Sequence, residues 1–446
     1  MTRPLVYLLY NLLLPVVLLL GLPAFLAKGL RRGGLARNFR QRLGFFSGDA
    51  LARIAAKRPV WIHAVSVGEV FIALKLVEAL RAASPGVPLV LSTTTTTGYR
   101  VAAEKVSDAL TVIHNPVDLP WVAARVLRLV DPRALVLVEA EIWPNLVGLA
   151  KRRGVPVLLA NARLSPRSER RYGKARAFVA PVFSLLDGVT VPFDGDIARW
   201  AALGISEDRI EVTGSVKFDN SGPAAVSEAL AGELGSWLAA TGLPSGARIL
   251  IGASTHEGEE RLLAGLARGL KADFPGLELV LVPRHAERGA EIASRLREDG
   301  FDPVLRVGPG SDAGKLDPTR PRVWIANTTG ELRAWYGLAE LVFVGKSLRG
   351  LGGQNPVEPV LAGKPVVVGP NMQNFAEVVA ELRDLGGLRQ VDDEAGLVDA
   401  LRDILQDPEA GRAMASRGAV AMARHAGSAE RNAAWIFGAI GNGPFA

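Results

Sequence analysis

The longest apolar run in the chain comes first. Residues 4–27, PLVYLLYNLLLPVVLLLGLPAFLA, carry no charged side chain. About 20 apolar residues suffice for a helix to cross the hydrocarbon layer, so the run predicts a membrane-anchor helix, with Pro15, Gly21 and Pro23 as points of bending. Past Gly44 the pattern changes to short apolar runs separated by longer amphipathic ones. RPVWIHAV (58–65), VPLVLST (87–93), ALVLVEA (134–140), VPVLLAN (155–161) and GVTVP (188–192) read as strands. Glu69–Ala83 and TGYRVAAEKV (97–106) read as helices. Near-continuous Val/Ile/Leu strands suit a parallel sheet buried on both faces. Their alternation with helices implies right-handed crossovers and a doubly wound sheet. Residues 217–246 break the series with a turn, a helix and a second turn. A second series then begins: ARILIGAS (247–254), LELVLVPRH (277–285), RVWIAN (322–327), ELVFVGKS (340–347) and KPVVVGP (364–370). The expected fold is α/β, with two doubly wound Rossmann-like domains behind an N-terminal anchor helix. The expected divisions are 1–30 for the anchor, 31–222 for the first domain and 223–446 for the second. The last helical stretch, Glu409–Ile440, is expected to cross back to the first domain. Folds of this kind hold ligands at the carboxyl ends of their strands, here in a cleft between the two domains.

Composition narrows the class. The chain has 446 residues and no cysteine, which rules out a disulfide framework, a thiolate nucleophile and a cysteine zinc site. The net charge of +7 is local. Arg3, Lys28, Arg31, Arg32, Arg37, Arg40 and Arg42 precede the first acid, Asp49, and without that segment the remainder is balanced. A nucleic-acid binder would carry its surplus over a folded face, so no nucleic-acid partner is expected. Cations flanking an apolar helix point to a membrane surface, and their position after the helix puts the rest of the chain in the cytoplasm, at the inner membrane. The strip 28–42 is also a candidate for anionic headgroups.

Candidate chemistry gathers where strands end. In His63-Ala64-Val65-Ser66-Val67-Gly68-Glu69 a strand passes into a helix. Glu69 is read in two ways, as the distal partner of a capping box begun by Ser66 and as a carboxylate base. Ser254-Thr255-His256-Glu257-Gly258-Glu259 repeats the arrangement after the first strand of the second series, either as a phosphate site at a helix start or as a capping box from Ser254 to Glu257. Pro283-Arg284-His285 ends another strand with two cation-capable donors. In the run GKSLRGLGGQNPVEP (345–359), Gly345-Lys346-Ser347 resembles a P-loop, but Glu340 stands where the pattern needs glycine. What remains there is a glycine turn leading to Asn355 and to Glu358, a residue able to accept both ribose hydroxyls. Glu139, Glu141 and Lys217 lie near strand ends, and Lys217 suits a departing phosphate. The five histidines show no metal-ligand spacing, so no metal site is expected.

Taken together, HAVSVGE, STTTTTGYRVA, EAEIWPNL, NARLS, GSVKFD, GASTHEGEE, VPRHAER, GEL and GGQNPVEP occur in this order. With the anchor, they resemble the 3-deoxy-D-manno-oct-2-ulosonic acid (Kdo) transferases of lipopolysaccharide synthesis, from the N-terminus to about Phe375. The resemblance implies the two-domain GT-B fold and an inverting transfer without metal or other cofactor. It implies CMP-Kdo as donor and the acylated glucosamine disaccharide precursor of lipid A (lipid IVA) as acceptor. Carried over by motif, the family's general base falls on Glu69, and its transition-state acid and lysine on Glu139 and Lys217. Its CMP contacts fall on Pro283, Arg284, Thr329, Gly330, Glu331, Asn355, Pro356, Val357 and Glu358. Asn327, Thr329, Ala286 and Gln354 depart from the family's usual residues at their positions. The residues alone also admit another membrane-associated GT-B enzyme with a different sugar nucleotide, or a catalytically inactive scaffold at the membrane.

Overall fold

The computed structural model describes residues 1–32, 35–54, 57–107, 109–219, 225–308 and 319–441, with backbone alone at 22, 24–32, 35–38, 49, 51, 166 and 225–228. Lys28, Arg31, Arg32 and Arg37 of the basic strip thus lie outside the described side chains, and the expected boundary at 222 lies outside the described residues. The chain forms two compact units, Met1–Asp219 with the segment from His425 onward, and Asn220–Arg424.

Unit 1 is built on seven strands: β1 (Val60–Ala64), β2 (Leu89–Thr93), β3 (Leu110–His114), β4 (Ala134–Val138), β5 (Val157–Ala160), β6 (Gly188–Val191) and β7 (Ile210–Val212). They lie in the order β3-β2-β1-β4-β5-β6-β7, all parallel. Unit 2 holds β8 (Arg248–Thr255), β9 (Leu277–Pro283), β10 (Asp302–Leu305), β11 (Arg322–Ile325), β12 (Leu341–Val344), β13 (Val366–Val368) and β14 (Arg389–Gln390). Their order is β10-β11-β9-β8-β12-β13-β14, again all parallel.

The two-residue period of a strand explains why unit 1 needs helices on both faces. Trp61, Leu135, Leu137, Val157 and Leu159 point into one apolar cluster. Their neighbours Val60, Ile62, Ala64, Val136, Val138, Leu158 and Ala160 point into the other. The ten strands expected from sequence are the five inner strands of each sheet. The four that went unread, β3, β7, β10 and β14, are the sheet edges.

The expected single stretch Glu409–Ile440 is two helices, Pro408–Ala423 and Ser428–Ala439, broken at Gly427, whose backbone is left-handed (φ 71°). The second helix packs Ala429, Ala433 and Ile436 into the same cluster as Val70, Leu76 and Leu80 of the helix Val67–Ala83. Room for it is made at Gly188, where a Cβ would stand 2.7 Å from the Trp435 ring. Asn432 accepts from the Thr190 hydroxyl at 2.6 Å and donates to that of Thr213 at 2.9 Å, deep in unit 1.

The apolar N-terminal segment forms a helix, Arg3–Arg32. Within it Arg3–Gly21 is long and apolar enough to cross a membrane by length and composition. It does not stand apart from unit 1 as a domain of its own, because Val6 is buried in the unit's core.

Candidate functional site

The carboxyl edge of the unit 1 sheet collects the expected catalytic residues. Ser66 caps the helix Val67–Ala83, its hydroxyl accepting the Glu69 N–H at 3.3 Å. Glu69 reaches back: one carboxylate oxygen accepts the Val65 N–H at 2.7 Å and the other the Ser66 hydroxyl at 2.8 Å. The capping box read from sequence therefore exists. It also buries Glu69 to 8% exposure and fixes the direction of its carboxylate.

Glu139 follows β4 with a left-handed backbone (φ 62°), and Asn161 does the same after β5 (φ 53°). Such backbone is costly for a side chain larger than glycine and persists where the surroundings over-determine it. Glu141, two residues on, has its carboxyl pushed above the usual range, first by burial and then by the charge of Glu69. The EAEIWPNL loop and the Glu69 cap therefore share one electrostatic neighbourhood. His63 on β1 holds that loop. Its Nε2 accepts from the Trp143 indole at 3.1 Å, and its Nδ1 lies 2.9 Å from the Ser92 hydroxyl. Burial pushes its pKa down to about 4, so the ring is neutral, with the proton assigned to Nδ1 by the indole donor.

Lys217 lies on the turn after β7. The Asn161 side chain accepts the Val216 N–H at 2.9 Å, and His425 accepts the Ser215 N–H at 3.0 Å. Lys75, farther along the same helix as Glu69, donates to the carbonyls of Val216 (3.1 Å), Lys217 (3.4 Å) and Asp219 (2.5 Å). One helix thus carries the carboxylate at its start and clamps the lysine-bearing turn two turns later. Sequence reasoning missed Lys75 and Asn161. The only signal was the position of Asn161 in NARLS.

In unit 2 the helix after β8 starts at Glu259, with Gly258 (φ 89°) as its cap. The capping box expected from Ser254 to Glu257 is therefore absent, and exposed Glu257 pairs with Arg295 at 3.0 Å. Glu259 is the organising residue. It is fully buried and accepts the N–H groups of His256 (3.0 Å), Lys346 (2.7 Å), Leu348 (3.2 Å) and Arg349 (3.4 Å). This staple ties the β8 loop to the β12 loop and takes up the backbone donors that a phosphate would need there. The P-loop likeness is structural as well. Gly345 is glycine because a Cβ would meet the Ser254 carbonyl at 2.6 Å, and the Ser347 hydroxyl is spent on Val344 O (2.5 Å) and the Gly369 N–H (2.9 Å).

The expected nucleotide residues lie at the ends of β9, β11 and β12. Arg284 follows Pro283 and is exposed, its backbone N–H bonded to Thr255 O at 3.1 Å. Among the described residues its guanidinium has no ion pair or hydrogen bond. Thr329 and Gly330 are exposed, and Glu331 stands at the cap of the helix Leu332–Leu338, bonded to the Thr328 hydroxyl. Asn355 accepts the Val357 N–H at 3.0 Å and donates to Glu358 at 3.2 Å, which fixes the first turn of the helix Val357–Leu361 with Pro356 as its cap. The preceding glycines are required. Gly352 (φ 103°) and Gly353 (φ 69°) pass so close to the next loop that a Cβ would stand 2.5 Å from Asn374 and 2.3 Å from Met372. Beside this turn, Gln354 touches the His256 ring at 3.2 Å.

A cavity of about 570 Å³ in unit 1, lined by Arg40, Phe45, Arg53 and Tyr99 among others, contains none of the expected site residues. Among the described residues no group of three or more His, Asp or Glu is arranged to hold a metal ion.

Residues 37–220 match the family model described as 3-deoxy-D-manno-octulosonic-acid transferase (kdotransferase). Relatives named 3-deoxy-D-manno-octulosonic acid transferase are found in Haemophilus influenzae, 31% identical over 88% of this chain and 90% of the relative, and in Bordetella pertussis, 34% identical over 87% and 89%. Among solved structures, a UDP-GlcNAc 2-epimerase from Neisseria meningitidis is similar in fold, with a TM-score of 0.56, 12% identity, and coverage of 86% of this chain and 99% of that one. Two Rossmann-like units on one chain are the GT-B fold that the motifs implied, and by sequence this chain, a glycosyltransferase, belongs to the 3-deoxy-D-manno-octulosonic acid (Kdo) transferase family.

Proposed function

We propose that the chain transfers Kdo from CMP-Kdo to an acylated, glucosamine-based lipid A precursor at the inner membrane, with inversion and without a metal, its two units facing the cytoplasm. Unit 2 supplies the nucleotide groups. Glu358 and Asn355 hold the ribose, Arg284 with Pro283 the cytidylate, and the turn Thr329–Glu331 its remaining polar edge. Unit 1 supplies the chemistry. Glu69 takes the proton of the acceptor hydroxyl as that oxygen bonds to the ketosidic carbon. The bond from that carbon to the phosphate oxygen breaks on the opposite face, and CMP leaves with the electron pair. Lys217 balances the charge growing on the phosphate, and Glu139 orients the group.

The observation that carries this reading is the state of the Glu69 carboxylate. A carboxylate has about four lone-pair sites. Glu69 uses one on each oxygen for the capping box, which aims the group and leaves one site on each oxygen for a substrate proton. Rigid aim with spare acceptor capacity is what general-base catalysis asks of a side chain.

The test is incubation of detergent-solubilised full-length chain with CMP-Kdo and lipid A precursor, followed by mass spectrometry of the lipid. A mass increase of one or more Kdo residues is expected, unchanged by a chelator. Transfer from a UDP-sugar instead, or loss of transfer on chelation that added metal restores, would sink the donor or the metal-free part of the proposal respectively.

A further inference from the structure

The N-terminal helix is fastened to unit 1 at its start. Arg3 donates to the Pro181 carbonyl at 3.1 Å, Tyr7 to the Pro144 carbonyl at 2.7 Å and Tyr10 to Asp118 at 2.9 Å. Asn11 and Asn145 form a reciprocal amide pair at 3.1 and 2.7 Å. Tyr7 lies so close over Gly148 that a Cβ there would sit 2.3 Å from its hydroxyl.

The chain is fastened again where it returns. Gln41 accepts the His114 N–H at 3.2 Å, the Arg42 carbonyl accepts the Val117 N–H at 2.9 Å, and the Arg42 guanidinium bonds to the Thr94 carbonyl. Asp118 and Val117 are consecutive. The two ends of the stretch 12–41 are therefore held by one loop of one folded unit, on the same side of any membrane.

That arrangement excludes a single crossing. A double crossing needs two runs of about 20 apolar residues. Only residues 12–27 are continuously apolar, about 24 Å of helix at 1.5 Å per residue, against a hydrocarbon core of about 30 Å. Lys28, Arg31, Arg32 and Arg37 follow, and hydrocarbon excludes such charges. What the stretch does present is apolar surface: Leu12, Leu13, Val16, Val17, Leu19 and Leu20 are each more than half exposed.

We infer that the chain is monotopic: residues 12–27 lie within one leaflet, the cations after them rest among acidic headgroups, and the helix start stays locked to the catalytic unit. The occupant of the exposed apolar face is thus the cytoplasmic leaflet of a lipid bilayer. The inference does not depend on the reaction, so activity is not its readout.

The natural chain has no cysteine, which makes a single-cysteine experiment clean. Thr2→Cys and, as a marker in unit 1, Ser206→Cys are made separately in the full-length chain. Each is exposed to a membrane-impermeant maleimide in intact spheroplasts and, in a parallel sample, after the membrane is dissolved in SDS. Both cysteines should be protected in intact spheroplasts and labelled in SDS, with the protein in the membrane fraction. Labelling of Thr2→Cys in intact spheroplasts with Ser206→Cys protected would mean a true span and overturn the inference. Recovery of the chain in the soluble fraction would overturn it too.

Discussion

In each unit the helix that follows the first strand buries a glutamate in its first turn, Glu69 in unit 1 and Glu259, next to buried Glu260, in unit 2, and Glu69 and Glu259 are used in opposite ways. Glu69 in unit 1 accepts two hydrogen bonds, both from its own helix start. Glu259 in unit 2 accepts four, three of them from a loop about ninety residues away. Glu259 has two donors on each oxygen and no acceptor capacity left. It is a staple, and in the proposed function unit 2 binds the nucleotide with groups beyond it, such as exposed Arg284. Glu69 is half-committed, aimed but still able to accept. Position and burial are nearly the same in the two residues. In the proposed function, what separates the structural carboxylate from the chemical one is the number of lone pairs still available.

The largest effect that would sharpen this contrast comes from exchanging the carboxylate for its amide. A capping box accepts glutamine as well as glutamate, so Glu69→Gln should keep the thermal stability of the chain while turnover falls by about 10²–10⁴-fold. Turnover above about a tenth of wild type would break the comparison. Glu259→Gln should do the reverse. Its amide nitrogen would face two backbone N–H groups, leaving donors unpaired in a buried place and costing about 3 kcal/mol of stability, measured by denaturant unfolding.

Acid should also find the two units unequal. His63 and His114 are both held down to about 4 by burial, with Arg42 adding to the effect on His114. An unfolded histidine titrates near 6.5. Their stabilising contribution is therefore full above pH 6.5 and is lost as pH falls toward 4, on the order of 2 kcal/mol per histidine by pH 5. Asp118, raised to about 6 by burial, works the other way between pH 6 and 4, and two histidines outweigh one acid. The His114 ring stacks on Tyr99 at 4.1 Å. His114→Phe should therefore keep the fold and flatten the pH 7 to 5 unfolding profile by about 2 kcal/mol. An unchanged profile would show that the ring is protonated in the folded chain.

Smaller effects complete the series. Arg284→Ala should raise KM for the CMP-sugar by about ten- to a hundredfold with stability unchanged, the range for a hydrogen bond to a charged group. Ser66→Ala should cost about 1 kcal/mol through the lost cap. It should also lower turnover less than Glu69→Gln, because the Val65 N–H still aims the carboxylate.

Sequence reading and structure part company in a patterned way. The ten strands legible from the chain are inner strands, buried on both faces and so apolar at every position. The edge strands β7 and β14 are too short and too exposed for that signal. β3 mixes Thr111 and His114 into its apolar run, and β10 opens with Asp302 and Pro303. The same limit holds at the sites. The cap formed by Ser66 and Glu69 is local, three residues apart, and could be read. The Glu259 staple, the Lys75 clamp and the locking of Tyr10 to Asp118 join residues far apart in the chain, and no spacing encodes them.

By itself the sequence determined what depends on neighbouring residues: two series of buried parallel strands, the apolar leader with its cations, the cap at Glu69, and a motif order specific enough to imply the family. Tertiary structure alone decided which glutamate still has lone pairs to offer, that the chain breaks at Gly427 so that its last helix completes unit 1, and that both ends of the leader return to one loop. The reason is physical. Backbone periodicity and capping act over a few residues, whereas the satisfaction of a buried polar group is settled by whichever donor the fold brings within about 3 Å.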